Sequence, residues 1–133
     1  MATFHLQIVT PDRMAFDGQA ESIIVRTLGG DACILARHID YAAPLGIGEA
    51  RITDAEGNTR IAACSGGMIS VSDGEARVMA TTFEWAEDID LERAERAKER
   101  AENALAQSKC QDRECTLLEA KLKRALMRIQ VKQ

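Results

Sequence analysis

The side chains that could do chemistry are few. His5 and His38 stand far from any nucleophile motif, since neither a Gly-x-Ser-x-Gly elbow nor a Gly-x-x-x-x-Gly-Lys-[Ser/Thr] phosphate loop occurs in the 133 residues. His5 falls at an outward position of an alternating run and reads as a surface histidine rather than a general base. Ser65-Gly66-Gly67 has the composition of a phosphate loop, but the Met68-Ile69-Ser70-Val71 that follows is strand-like and offers no helix N-terminus to an anion. A tight turn accounts for it better. The four cysteines, Cys33, Cys64, Cys110 and Cys115, contain no Cys-x-x-Cys pair and lie away from both histidines, which disfavours zinc. They read as reduced thiols, with nothing in the sequence to support a Cys110–Cys115 bridge. The remaining chemistry is a basic run, Lys121, Lys123, Arg124, Arg128 and Lys132. It fits either a solvated helix end favoured by the helix dipole or a face that docks on an acidic partner.

The elements that carry these residues divide sharply. All nine glycines and both prolines occur at or before Gly74. Residues 1–86 hold six basic and eleven acidic side chains, every base an arginine; residues 87–133 hold eleven and ten, with every lysine of the chain. Two units of different construction, 1–86 and 87–133, are expected. In the first, short apolar runs are separated by turn signals at Pro11-Asp12, Asp17-Gly18, Gly29-Gly30, Pro44 to Gly48, Glu56-Gly57-Asn58, Gly66-Gly67 and Asp73-Gly74. Phe4, Leu6 and Ile8 alternate with His5, Gln7 and Val9, and Ala76, Val78 and Ala80 with Arg77, Met79 and Thr81, the period of a half-buried strand. Ser22 to Val25 and Cys33 to Ala36 are continuously apolar and read as central strands covered on both faces. The fold class is an all-β sandwich of about ten strands.

The second unit reads as an antiparallel two-helix hairpin. Asp88 or Asp90 can cap a first helix whose stripe is Leu91, Ala94, Ala97, Ala101, Ala104 and Leu105. Ser108 to Gln111 connects it to a second helix, capped by Asp112, with Leu118, Leu122, Ala125 and Ile129 on one stripe. Glu92 with Arg96 and Glu119 with Lys123 support the helices at i,i+4 spacing. An alanine stripe lets two helices approach closely while burying little area, so the hairpin is expected to be weakly anchored.

Bulk properties narrow the class. A net charge of -4 lacks the basic footprint of a nucleic-acid binder. No stretch has the roughly 18 to 20 apolar residues of a membrane span, and the N-terminus has no basic region followed by an apolar run, so a cytosolic, unprocessed chain is expected.

Order and spacing of several segments resemble the epsilon subunit of the bacterial F-type ATP synthase. They are Val9-Thr10-Pro11-Asp12-Arg13 with Phe16-Asp17-Gly18, then Ile34-Leu35-Ala36-Arg37-His38, Cys64-Ser65-Gly66-Gly67, and Ile89-Asp90-Leu91-Glu92-Arg93-Ala94. The resemblance spans the chain. It implies a non-catalytic central-stalk subunit, with a sandwich that grips the gamma subunit and rests on the c-ring of a proton-transporting synthase. The helical hairpin would fold against the sandwich or extend toward the catalytic head to inhibit ATP hydrolysis. In that state Lys121, Lys123, Arg124 and Arg128 would face the beta subunit. Some members bind regulatory ATP through Ile-Asp-x-x-Arg-Ala, reproduced here by Ile89, Asp90, Arg93 and Ala94, with Arg124 and Arg128 as the assisting arginines. No cofactor is required otherwise. The chain departs from the family at Thr27 to Cys33 and Arg37 to Tyr41, within the region used against gamma and the c-ring; Asp31 and His38 are the residues assigned to that face. Membrane association would come only through the complex, on the cytoplasmic side of the plasma membrane. Two other classes fit the elements: a stand-alone β-sandwich binding module with a helical tail, and a thiol enzyme using Cys33 or Cys64, which would need a lowered thiol pKa in a cleft.

Overall fold

A computed structural model describes residues 2–107 and 113–132. Among the described residues seven strands, one 3-10 turn and two helices follow one another. The strands are β1 (Phe4–Val9), β2 (Met14–Thr27), β3 (Gly30–Leu35), β4 (Tyr41–Pro44), β5 (Ile47–Asp54), β6 (Thr59–Ser72) and β7 (Glu75–Trp85). The turn is Ala86–Asp88, and the helices are α1 (Leu91–Gln107) and α2 (Arg113–Lys132). The order across the sheet is β1-β7-β6-β5-β2-β3, with β4 beside β6 and β1 also paired to β2. That last pairing folds the sheet over on itself into two layers.

Three of the expected reversals are bends, which explains why seven strands stand where about ten were expected. Asp17-Gly18 lies inside β2, and Gly66-Gly67 lies inside β6. Pro44 to Gly48 joins β4 to β5 without reversing, because both run antiparallel to β6 in one continuous register, Pro44 against Met68 and Ile47 against Ser65. The long strands serve both layers. β2 pairs with β1 through Ala20 and with β3 and β5 beyond it. β6 pairs with β5 before Gly66 and with β4 after Gly67. The inward set changes parity at each crossing: Ala20 then Ile23 and Val25 in β2, Cys64 then Ile69 and Val71 in β6, Ala80 then Phe83 and Trp85 in β7. A strand that passes from one layer to the other must switch the side that faces the core. The true reversals are at Pro11-Asp12, Gly29, Glu56 to Asn58 and Asp73-Gly74, together with the loop Ala36 to Asp40, where Arg37 takes φ 65°.

Alternation in β1 and β7 is as expected, with Leu6, Ile8 and Val78 wholly buried. β3 differs. It ends the sheet order, paired only with β2, so Cys33 and Leu35 are exposed on an edge strand rather than covered in a central one. The run there alternates, with Ile34 buried in the core and its neighbours Cys33 and Leu35 outward.

Nineteen buried residues form the core between the layers. The hairpin is attached by far less: Ala63, Ile89 and Val131, with Ile61, Ala86 and Met127 around them. Ile89 and Val131 contribute roughly 1.5 to 3 kcal/mol each at full burial, which makes the docking of the helices small against the sandwich core. α2 lies on β5 and β6, and α1 packs on α2 through the expected stripe, in which Ala94, Ala101 and Ala125 are buried. Among the described residues the i,i+4 ion pair within a helix is Lys98 with Glu102 at 3.8 Å, not Glu92 with Arg96 or Glu119 with Lys123. Ser108 to Asp112, and with them Cys110 and the expected Asp112 cap, lie outside the described residues, as does the side chain of Cys115. No described helix is long and apolar enough to cross a membrane.

Candidate functional site: a cationic groove between the helices

α1 begins at a real cap. The Asp90 carboxylate accepts the Arg93 N–H at 3.2 Å, and its carbonyl accepts the Ala94 N–H at 3.0 Å, so the exposed Asp90 satisfies donors that no earlier turn can serve. Ile89, just before the cap, turns into the small cluster under α2, and Ala94 is buried against that helix. Of the six residues assigned to ATP, these three therefore build the helix start and its packing.

The arginines come together differently. Ala97, Ala101 and Ala104 of α1 face Leu118 of α2, and small side chains there leave a groove of about 480 Å³. Its rim is Arg100 from α1 with Lys121, Arg124 and Arg128 from α2. Among the described residues its charged lining is these four cations, of which Arg128 is paired with Glu84 of β7, so an anion entering meets a net positive field. Guanidinium forks at Arg124 and Arg128, one turn apart, suit phosphate oxygens. Arg93 stands on the neighbouring face of α1, lining a second groove with Arg96, Glu99, Asn103 and the shared Arg100. Sequence alone does not single out Arg100, because only the pairing of α1 with α2 shows which of the four α1 bases turns toward Arg124.

Arg128 is also an anchor. Its Nε donates to the Glu84 carboxylate of β7 at 2.8 Å, both side chains being partly shielded. Arg124, Arg128 and Met127 close over Ile47, Cys64, Ser65 and Thr82 of the sheet. Lys121 and Lys123, assigned with them to a protein partner, are exposed.

The sandwich presents a second feature. Read across the registers, Pro44, Met68, Met79, Val9 and Met14 are successive partners on β4, β6, β7, β1 and β2. All five point outward. Met14 is 51%, Met68 42% and Met79 45% exposed, so an apolar row crosses the whole outer face of one layer. Flexible thioethers of this kind suit an adaptable protein contact. Asp31 and His38 sit elsewhere: Asp31 pairs with Arg26 at 2.8 Å on β2 and β3, and His38 packs edge-on against Tyr41 with Nδ1 2.7 Å from the Ile39 carbonyl. Leu28 and Ile39, in the two loops flanking β3, are the most exposed large apolar side chains described.

Two alternative classes lose support. Burial pushes the Cys64 thiol up to about 12, the opposite of an activated nucleophile. Phe4, Phe83 and Trp85 are buried and Phe16 and Tyr41 half-buried in contact with the core, so the aromatics are not displayed to grip a ligand.

Residues 3–86 match the family model "ATP synthase, Delta/Epsilon chain, beta-sandwich domain", and residues 87–133 match "ATP synthase, Delta/Epsilon chain, long alpha-helix domain". A protein of Caldicellulosiruptor bescii named ATP synthase epsilon chain is 40% identical over 131 residues, 98% of this chain and 94% of its own. One of the same name from Halalkalibacterium halodurans is 39% identical, covering 98% of each. Among solved structures, a chain of the Euglena gracilis mitochondrial ATP synthase (OSCP, F1 and c-ring) superposes with TM-score 0.78 at 25% identity, over 92% of this chain and 77% of that one. A chain of the Tetrahymena thermophila mitochondrial ATP synthase central stalk and c-ring shares the fold, with TM-score 0.67 at 13% identity over 97% and 96% of the two chains.

Proposed function

The chain belongs to the ATP synthase delta/epsilon chain family, and from that premise we propose how its two surfaces serve the central stalk of an F-type synthase. It is a non-catalytic subunit of that complex. The apolar row from Pro44 to Met14 seats the gamma subunit, and the β3 end, with Asp31, His38, Leu28 and Ile39, rests toward the c-ring. The chain is held at the cytoplasmic side of the plasma membrane by these protein contacts. Residues 1–86 act as the fixed unit and 87–133 as the regulatory one, folded as described here or extended toward the beta subunit, where Lys121, Lys123, Arg124 and Arg128 meet acidic side chains.

The groove rimmed by Arg100, Lys121, Arg124 and Arg128 carries the regulatory part of the reading. These four cations, with Arg128 shared with Glu84, suit a polyphosphate, so ATP is the ligand, bound for regulation and not turned over. Its phosphates would lie across Arg100, Arg124 and Arg128, while Asp90 and Arg93 at the cap would hold the remainder of the nucleotide. A ligand that binds only the folded hairpin stabilises it by mass action. Isothermal titration of the full chain with ATP, with and without magnesium, tests this. Saturable binding is expected, weakened roughly tenfold to a hundredfold in Arg100→Ala and Arg124→Ala, the loss of one charge-assisted hydrogen bond. No saturable heat at millimolar ATP would return the groove to an ordinary solvated face.

A further inference from the structure

The 3-10 turn that joins the sandwich to the helices is gripped from both sides. From the sheet, the Arg60 guanidinium of β6 lies 3.7 Å from the centre of the Trp85 ring and donates to the Glu87 carboxylate. From the helices, Lys132 Nζ at the end of α2 donates to the backbone carbonyls of Ala86 at 3.1 Å and Glu87 at 3.4 Å. Arg60, first through its hydrogen bond and then through its charge, and Lys132 through its charge, hold the Glu87 carboxyl below the usual range. Val131, one residue before Lys132, packs on Ile89, one residue after the turn.

We propose that the Lys132 contact on this turn is the latch that keeps the hairpin docked. The turn touches β6 on one side and α2 on the other, and Arg60 holds it from the sheet. With the lysine attached, the far end of α2 is fixed to the near end of α1. The remaining hold on the sandwich is the Arg128–Glu84 pair, the small cluster around Ile89 and Val131, and the contact of Arg124 and Met127 with β5 to β7, which is little for two helices of 17 and 20 residues. Because Lys132 binds main-chain oxygens, the latch depends on the shape of the turn and not on one acidic partner. This deepens the reading of 87–133 as a movable element and rests on it, but it does not require ATP.

Hydrogen exchange of the full chain, followed by peptide for wild type, Lys132→Met, Lys132→Arg and Lys123→Met, tests the latch. Methionine keeps the aliphatic stem and removes the donor; Lys123 is an exposed cation of the same helix with no contact to the turn. In wild type the α1 and α2 amides should exchange by local opening faster than those of β6 and β7. Lys132→Met should speed the helices about five- to tenfold and leave β1, β6 and β7 unchanged, with arginine restoring most of the protection and Lys123→Met matching wild type. If Lys132→Met behaves as wild type, or Lys123→Met accelerates exchange equally, the latch is wrong while the movable hairpin stands. Should helices and sheet of wild type exchange together, both ideas fall.

Discussion

Gly67 occupies a position that admits no other residue without movement of the backbone. Its φ is +95°, and a Cβ added there would lie 1.8 Å from the Met79 carbonyl oxygen and 2.9 Å from the Ala80 Cα. Gly57, at φ +85° in the β5–β6 turn, has nothing within 4 Å of the corresponding point. The pair separates steric from conformational cost. Gly57→Ala should lower stability by about 1 to 2 kcal/mol, the left-handed penalty alone. Gly67→Ala should cost roughly 3 kcal/mol or more, because β6 and β7 must part where β6 crosses between layers. Denaturant midpoints of the two variants decide it; equal losses would mean that the close approach is relieved without consequence.

At the level of elements, the sandwich and the hairpin differ in what holds them. Nineteen buried residues belong to the sheet core, whereas the helices meet the sandwich through a buried cluster of Ala63, Ile89 and Val131 with partly buried Ile61, Ala86 and Met127 around it, and through a shielded ion pair. A chain ending at residue 88 should therefore keep cooperative unfolding and its sheet circular dichroism, with stability lowered by no more than a few kcal/mol. Aggregation or loss of the transition would show that the hairpin is part of one folding unit. Much of this architecture is written locally. Alternation at Phe4 to Ile8 and at Ala76 to Ala80 declares strands, and the alanine stripe of α1 declares a close helix partner. What local patterns do not encode is where a glycine bends a strand and where it reverses the chain. Gly66-Gly67 and Gly29-Gly30 have the same composition, yet the first lies within β6 and the second closes β2 onto β3. β3 is apolar as a central strand would be, and only the sheet order shows it to be an edge. For the groove, the spacing of Arg124 and Arg128 is visible in one helix, whereas Arg100 belongs to it through the pairing of two.

On the scale of the whole molecule, the two layers are put to different uses. The outer face that includes β5 and the first half of β6 carries α2, and the other displays the row Pro44, Met68, Met79, Val9 and Met14. That row is assembled from five strands, with Val9 and Met79 seventy residues apart, so no window of sequence contains it. Met68→Glu combined with Met79→Glu should leave the chain folded, since both side chains already face solvent, and abolish its co-purification with the gamma subunit. Lys123→Glu, on the far layer's helix, should retain it. Unimpaired gamma binding by the double variant would move the docking face elsewhere.

The parallel pairing of β1 with β7 has a consequence for biosynthesis. Leu6 and Ala76 are partners, as are Ile8 and Val78, so β1 finds its second neighbour only after seventy further residues have been made. At about 5 to 20 residues per second, that is a wait of roughly 4 to 14 seconds. During it β1 has β2 on one edge and an open ladder on the other, beside the future buried side chains of Phe4, Leu6 and Ile8. The nascent sandwich is thus most vulnerable to association along β1, and release from that state comes with its last strand, β7.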